Sequence, residues 1–237
     1  MGIYGKDAYT MRFAVETAGN LLHGICNLAN TKVNDDGQRT LFNIAYAQYA
    51  KFDFDISKSI RLSNRTSLAL RFALGVAYPY GNSDILPYEK RYFSGGANSV
   101  RGWSVRSLGP GSFLGNDGNV DFINQTGDVK LDMSAEFRMH LFWKFDGAVF
   151  IDAGNIWTLR DYKDQPGGQF RWDTCWEQIA VAYGLGLRLN LNYFLLRFDA
   201  GMKAINPAYQ DSERHYPLIH PNFKRDFTFH FAVGLPF

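Results

Sequence analysis

Two acidic residues, Glu136 and Asp152, lie where a short reversal of the chain would bring them together. If an antiparallel hairpin turns around Trp143, Glu136 pairs with Phe150. Asp152 then lies diagonally from Glu136 on the same face of the hairpin, roughly 7–8 Å away. Two such carboxylates act either as a general acid and base, because nearby like charges split their pKa values, or as a cup for a guanidinium group.

We interpret this pair as a cup for an arginine. Arg101, in a long loop earlier in the chain, supplies the positive charge that a cup needs. No nucleophile or metal cluster accompanies the two acids, and four of the five histidines are scattered, at His140, His215, His220 and His230. We therefore predict no catalytic residues, no metal site and no cofactor, and a protein that is not an enzyme.

The segment that carries Glu136 alternates with a period of two. Between 129 and 141 one face is wholly apolar and the other wholly polar, as in a β-strand. The apolar face consists of Val129, Leu131, Met133, Ala135, Phe137, Met139 and Leu141. This strand exceeds the roughly 5–6 residues usual in soluble sheets and is typical of a tilted membrane-spanning strand.

Similar alternation recurs along the chain and predicts eight strands, an even number as expected for bacterial outer-membrane barrels. They cover 9–18, 40–57, 68–78, 129–141, 145–157, 178–190, 193–203 and 226–237. The fold class is therefore predicted as all-β, an antiparallel transmembrane β-barrel, with 1–237 as a single barrel domain.

The connections between these strands alternate in length. Long segments at 19–39, 80–127, 158–177 and 204–225 interleave with turns near 58–62, 142–144 and 191–192. Outer-membrane barrels have short periplasmic turns and long outer loops, so the long segments are predicted to be extracellular and the carboxy-terminus periplasmic. The segment 80–127 is too long for a mere connection and is expected to be functional.

Composition excludes several classes of protein. The 25 Lys and Arg nearly balance 23 Asp and Glu, so nucleic acid is not an expected partner. No apolar stretch approaches the ~20 residues of a membrane-spanning helix, and aromatics reach 16%, which suits membrane-interface girdles. The first residues lack the apolar core of a signal peptide. Cys26 and Cys175 are interpreted as free thiols, with one loop disulfide as the alternative.

Inside 80–127, the consecutive residues Val100, Arg101, Gly102 and Trp103 form a motif within a glycine-rich segment. This motif resembles the signature of the sixth extracellular loop in the BamA/TamA superfamily of outer-membrane assembly factors and two-partner secretion transporters. Two further matches follow in the family's order. Phe150, Asp152 and Gly154 match its F-x-D-x-G strand motif, and Glu136 lies on the strand before it.

The resemblance implies that 80–127 folds back into the barrel lumen, where Arg101 contacts Asp152 and Glu136. The aromatic terminus, with Phe231, Gly234 and Phe237, resembles the sorting signal of outer-membrane proteins, and a lipid-facing strand explains it equally well. The implied function is assembly, insertion or translocation of proteins in the bacterial outer membrane. Implied partners are membrane lipid, nascent client proteins, and periplasmic or inner-membrane assembly proteins bound through a missing amino-terminal region.

The segment 104–111 is more similar to the TamA-type branch than to BamA. Because the family barrel has sixteen strands, this chain is predicted to be its carboxy-terminal half, with two such halves assembled together as the alternative. A closed eight-stranded barrel has room for side chains but not for a folded loop of this length. The alternatives are a passive pore or a small structural barrel of the outer membrane, a lipid-modifying enzyme, and a soluble β-sandwich.

Overall fold

The computed structural model describes residues 7–35, 37–115, 120–191 and 193–237, and its main element is an antiparallel β-sheet. Residues 1–6, 36, 116–119 and 192 lie outside the described part, including part of the predicted loop 80–127 and of the predicted turn at 191–192. The strands are β1 (Ala8–Ala18), β2 (Thr40–Leu41), β3 (Ile44–Ala45), β4 (Tyr49–Arg61), β5 (Thr66–Pro79), β6 (Val129–Phe142), β7 (Phe145–Trp157), β8 (Ala180–Asn190), β9 (Leu195–Ile205) and β10 (Phe227–Val233). The helices are α1 (Asn20–Leu28), α2 (Ser212–His215) and α3 (Phe223–Asp226).

Eight of the strands form one sheet in the order β1-β4-β5-β6-β7-β8-β9-β10, and β2 pairs with β3 in a separate hairpin. Every pair in the large sheet is antiparallel. The predicted all-β, antiparallel fold and the count of eight long strands are therefore confirmed. Among the described residues β1 pairs only with β4 and β10 only with β9, so these two strands form the edges of the sheet.

The two faces of the sheet have opposite chemistry. One face exposes large apolar side chains such as Phe13, Ile151, Leu185 and Phe229, and we call it the outer face. The other, the inner face, carries buried charged residues and many small ones, and the described part of the segment 80–127 packs against it. We call this segment the tongue. Apolar residues outside and charged residues inside are the arrangement of a membrane barrel.

The buried apolar residues lie between the tongue and the inner face. One cluster joins Leu86 and Tyr92 of the tongue to Tyr49, Ala77 and Ile156 of the strands. A second joins the tongue residues Val100, Trp103 and Leu108 to Ala180 and Ala182 on β8. None of the helices in the described ranges is long and apolar enough to cross a membrane.

The predicted strand 40–57 is wrong at its amino end. The residues from Thr40 to Ala45 form the small β2–β3 hairpin, and β4 begins only at Tyr49 and continues to Arg61. Phe42 and Asn43 both have positive φ angles, 51° and 63°, which build the tight turn of that hairpin. Alternation of apolar and polar residues does not distinguish a hairpin from one continuous strand.

The predicted strand 226–237 is also too long. β10 ends at Val233, because Gly234 adopts a φ of 90° and Pro236 has no N–H group for pairing. The last residues turn away from the sheet edge, and the ring of Phe237 lies 5.4 Å from the guanidinium of Arg138, an inner-face residue of β6. Phe237 therefore does not continue the outward alternation of Phe229 and Phe231.

Candidate functional site

The described part of the tongue is a folded unit. Tyr92 and Gly127 exchange backbone hydrogen bonds of 2.8 Å, which close the segment at its base. The hydroxyl of Tyr92 donates a 2.6 Å hydrogen bond to Asp53 on β4, and its ring lies where Gly75 on β5 leaves space. Burial raises the pKa of the Tyr92 hydroxyl above its ordinary value, and the hydrogen bond to Asp53 raises it further. Tyr92 therefore remains a neutral donor.

Tyr92→Phe should loosen the tongue without disturbing the sheet, because it removes one hydrogen bond to a charged acceptor, worth about 1.5–3 kcal/mol. The measurement is limited proteolysis of the tongue in folded protein. Tyr9→Phe is the matched control, since Tyr9 lies exposed on β1. Equal cleavage of the two variants would contradict an anchoring role for Tyr92.

Arg101 lies at the centre of the tongue's contact with the sheet and is 1% exposed. Its Nε and Nη2 donate hydrogen bonds of 2.7 and 2.9 Å to the two carboxylate oxygens of Asp152, a bidentate contact. Its Nη1 donates a 2.6 Å hydrogen bond to Glu136, and its backbone N–H donates one of 3.1 Å to Asp152. Both carboxylates are buried as well.

The hairpin of β6 and β7 explains why these two acids meet. Glu136 pairs with Phe150, and Ser134 pairs with Asp152, so the two acids are diagonal neighbours on the inner face. The guanidinium carbon of Arg101 lies over the ring of Phe150, 3.5 Å from its centroid. This is cation–π geometry, and it completes a pocket shaped for a planar cation.

The charge of Arg101 is permanent in this setting. Burial lowers the pKa of its guanidinium, but hydrogen bonding to Asp152 and the charges of Glu136 and Asp199 raise it above the ordinary value. The arrangement therefore holds a fixed ion cluster rather than a group that exchanges protons. Such an ion cluster can hold the tongue against the strands. An acid–base pair, in contrast, needs a group that gains and loses a proton.

Strands β8 and β9 extend the ion cluster. Arg188 contacts Glu136 at 2.9 Å and Asp199 at 2.9 Å. Arg197 contacts Asp199 at 3.1 Å, and Arg101 itself lies 3.6 Å from Asp199. A single charge cluster thus connects the tongue to four consecutive strands.

Arg138, Arg188, Arg197 and Asp199 were not among the residues singled out from the sequence. The signal that identifies them is the period of two on β8 and β9, where Arg188, Arg197 and Asp199 stand on the face opposite the leucines and phenylalanines. Arg138 stands two residues beyond Glu136 and contacts it at 2.8 Å. Buried charges at such spacing point to a shared ionic core.

The other motif residues pack the tongue against the sheet. Val100 and Trp103 belong to the apolar cluster on β8, and the ammonium of Lys203 lies 5.4 Å from the ring of Trp103. Gly102 lies so close to the sheet that a Cβ there would stand 2.8 Å from the Cβ of Ala182. The strand-motif residue Gly154 pairs with Asp132 on β6.

The remaining predicted residues lie apart from this cluster or at its border. Phe231 is exposed on the outer face beside Phe198, with ring centroids 5.3 Å apart, while Gly234 ends β10. Cys26 and Cys175 are buried and free. The histidines named from the sequence lie apart from one another, for example His140 against Asp146 and His215 against a backbone carbonyl.

The sequence of this chain is similar to those of known proteins. Residues 35–237 match the sequence model of the Omp85 superfamily domain. The outer membrane protein assembly factor BamA of Neisseria meningitidis is 31% identical over 108 residues, which are 44% of this chain and 13% of that protein. The sorting and assembly machinery component 50 homolog A of Xenopus laevis is 30% identical over 159 residues, which are 61% of this chain and 32% of that protein.

A solved structure shares the fold. The crystal structure of BamA from Haemophilus ducreyi lacking POTRA domains 1-3 aligns with 97% of this chain and 51% of its own, at a TM-score of 0.55 and 14% sequence identity. The chain thus spans about half of that structure and less than a third of the two curated relatives. The position of the chain in the TamA-type branch stays a prediction.

Proposed function

Because the chain belongs to the Omp85 superfamily, we propose that it forms part of an outer-membrane barrel that assembles, inserts or translocates other proteins. The observation that carries this proposal is the seating of the tongue, with Arg101 held by Asp152 and Glu136 on the inner face. This seating is the arrangement that the resemblance to outer-membrane assembly factors implied for Arg101, Asp152 and Glu136. The names of the relatives, an assembly factor and a sorting and assembly component, agree with the proposal.

The mechanism that fits this geometry needs no covalent chemistry. An edge strand presents unpaired backbone N–H and C=O groups, to which an incoming strand adds by hydrogen bonding. β10 is such an edge, and in a complete barrel it would border the seam between the first and last strands. In lipid every backbone group has to be paired, so the exchange of one strand partner for another lowers the cost of insertion.

We propose further that these eight strands are half of a sixteen-stranded barrel. Both edges of the described sheet are open, and the tongue fills the space that a closed eight-stranded barrel would need for its own side chains. The outer face would contact membrane lipid, with the tongue on the extracellular side and the carboxy-terminus in the periplasm. Client proteins and periplasmic or inner-membrane partners would bind the whole protein, the latter through an amino-terminal region.

The test is client folding by the full-length protein in lipid vesicles. An unfolded small outer-membrane barrel is added, and its folding is followed by protease protection. The native protein should accelerate folding, and Arg101→Ala should reduce this acceleration severalfold because the tongue is released. Arg65→Ala, in the exposed β4–β5 turn, should behave as the native protein does. Ion conductance without any acceleration would favour the passive pore and refute the proposal.

A further inference from the structure

The edge strand β10 touches the tongue motif through two side chains. The hydroxyl of Thr228 donates a 2.9 Å hydrogen bond to the carbonyl of Gly102. The Nε2 of His230 lies 3.0 Å from the carbonyl of Arg101, so the ring nitrogen is the donor. His230 is buried, and both residues stand on the inner face of β10. Two adjacent motif carbonyls are thus held by one strand.

These contacts depend on a close approach of the motif backbone to β9. Thr228 pairs with Gly201 and His230 with Asp199 in the β9–β10 ladder. A Cβ at Gly201 would collide with the carbonyl of Arg101, so only glycine lets the motif lie flat on β9 and reach β10. The contact is therefore built into the strand pairing and is not an incidental touch of side chains.

β10 needs such support more than the interior strands. Its ladder to β9 runs for only seven residues, Phe227–Val233, and within the described residues nothing pairs with its other edge. Each interior strand is paired on both sides. The side chain of Arg101 fixes the motif to β6 and β7, while its backbone carbonyl binds β10. The motif consequently links the interior of the sheet to its weakest strand.

We propose that Thr228 and His230 are positioning residues that couple the tongue to the edge strand, so that the seated motif keeps β10 in place and its release frees the β10 edge. The coupling is reciprocal, because any equilibrium in which the tongue stabilises β10 also makes β10 stabilise the tongue. This inference rests on the proposed function only where it concerns the addition of a client strand to the released β10 edge. The coupling itself is a property of the free protein.

The experiment measures amide hydrogen exchange in the folded full-length protein in lipid. Thr228→Val with His230→Leu removes both donors, and exchange of the β10 amides and of Arg101 to Trp103 should rise about thirtyfold, the factor that corresponds to the loss of two hydrogen bonds of roughly 1 kcal/mol each. Thr228→Ser with His230→Gln keeps a donor at each position and should restore exchange to within about twofold of the native rate. β7 amides serve as the internal reference.

Thr17→Val, on the outer face of the other edge strand β1, is the matched control for loss of a hydroxyl. The single variant Thr228→Val covers the case in which the double variant does not fold. Unchanged β10 exchange in Thr228→Val and in the double variant would overturn the proposal, and so would an equal rise in β7. If Thr228→Ser with His230→Gln does not restore slow exchange, the hydrogen bonds are not the cause of the coupling, and the proposal is also overturned. Loss of client folding with this exchange pattern intact would refute the proposed function alone.

Discussion

Arg101→Ala should leave the strands folded but release the tongue, with a loss of about 3–5 kcal/mol in the free energy that holds it. Arg101 is 1% exposed, and the side chains of Glu136 and Asp152 are fully buried, so this is the regime of buried ion pairs. Removing the guanidinium takes from the buried Asp152 the cation that it pairs with, whereas Glu136 keeps its contacts with Arg138 and Arg188. The penalty is therefore larger than the ~0–1 kcal/mol of an exposed pair.

Charge reversal extends this experiment into a double-mutant cycle. Arg101→Glu should be worse than Arg101→Ala, because it adds a third carboxylate beside Glu136 and Asp152. Asp152→Arg in the same molecule should restore part of the loss if the contact is direct. The restoration is expected to be incomplete, since Asp199 and Glu136 would still face a glutamate.

The measurement is protease cleavage of 80–127 in the four members of the cycle, in folded detergent-solubilised protein. Arg65→Ala reports on the loss of an arginine outside the cluster. Strictly additive effects of the two reversals would contradict a direct contact. Unfolding of the strands at the same denaturant concentration as tongue release would show that the tongue is an integral part of the sheet.

The features predicted best from the sequence are the long strands, which show a period of two, and the β6–β7 hairpin, which has a short turn. The β6–β7 connection is only two residues long, and Glu136 pairs with Phe150 as predicted, although the register shifts by one residue between His140 and Phe142, which the sequence did not predict. The same alternation located all eight long strands. Both signals are local, because side chains of a strand alternate between its faces whatever the strand packs against.

The sequence did not predict contacts that depend on how the tongue folds. The hydrogen bond from His230 to the Arg101 carbonyl joins residues 129 positions apart, and no local sequence pattern at either residue predicts it. The inward turn after Gly234 was missed for a related reason. The alternation of apolar residues continues to Phe237, whereas the backbone angle at Gly234 and the missing N–H of Pro236 end the strand. Helix α1 and the β2–β3 hairpin lie within segments taken as loop and strand, where short elements give weak periodicity.

Phe72→Arg should destabilise the protein in a membrane much more than Ala73→Arg, although the two residues are neighbours on β5. Phe72 lies on the outer face, where it pairs with Ile56 and Met133. An arginine there meets lipid and should cost about 2–4 kcal/mol near the bilayer midplane.

Ala73 lies on the inner face beside a cavity of about 270 Å³ that is also lined by Asp53 and Asp55. An arginine at this position has room in a polar cavity that holds these two carboxylates beside the cations of Arg12, Arg71 and Lys130, so the loss should be smaller than that of Phe72→Arg. The measurement is urea unfolding of full-length protein in lipid vesicles. Phe72→Leu and Ala73→Leu separate the effect of charge from that of size. Equal losses for the two arginine variants, or a greater loss at Ala73, would contradict the assignment of the outer face to lipid.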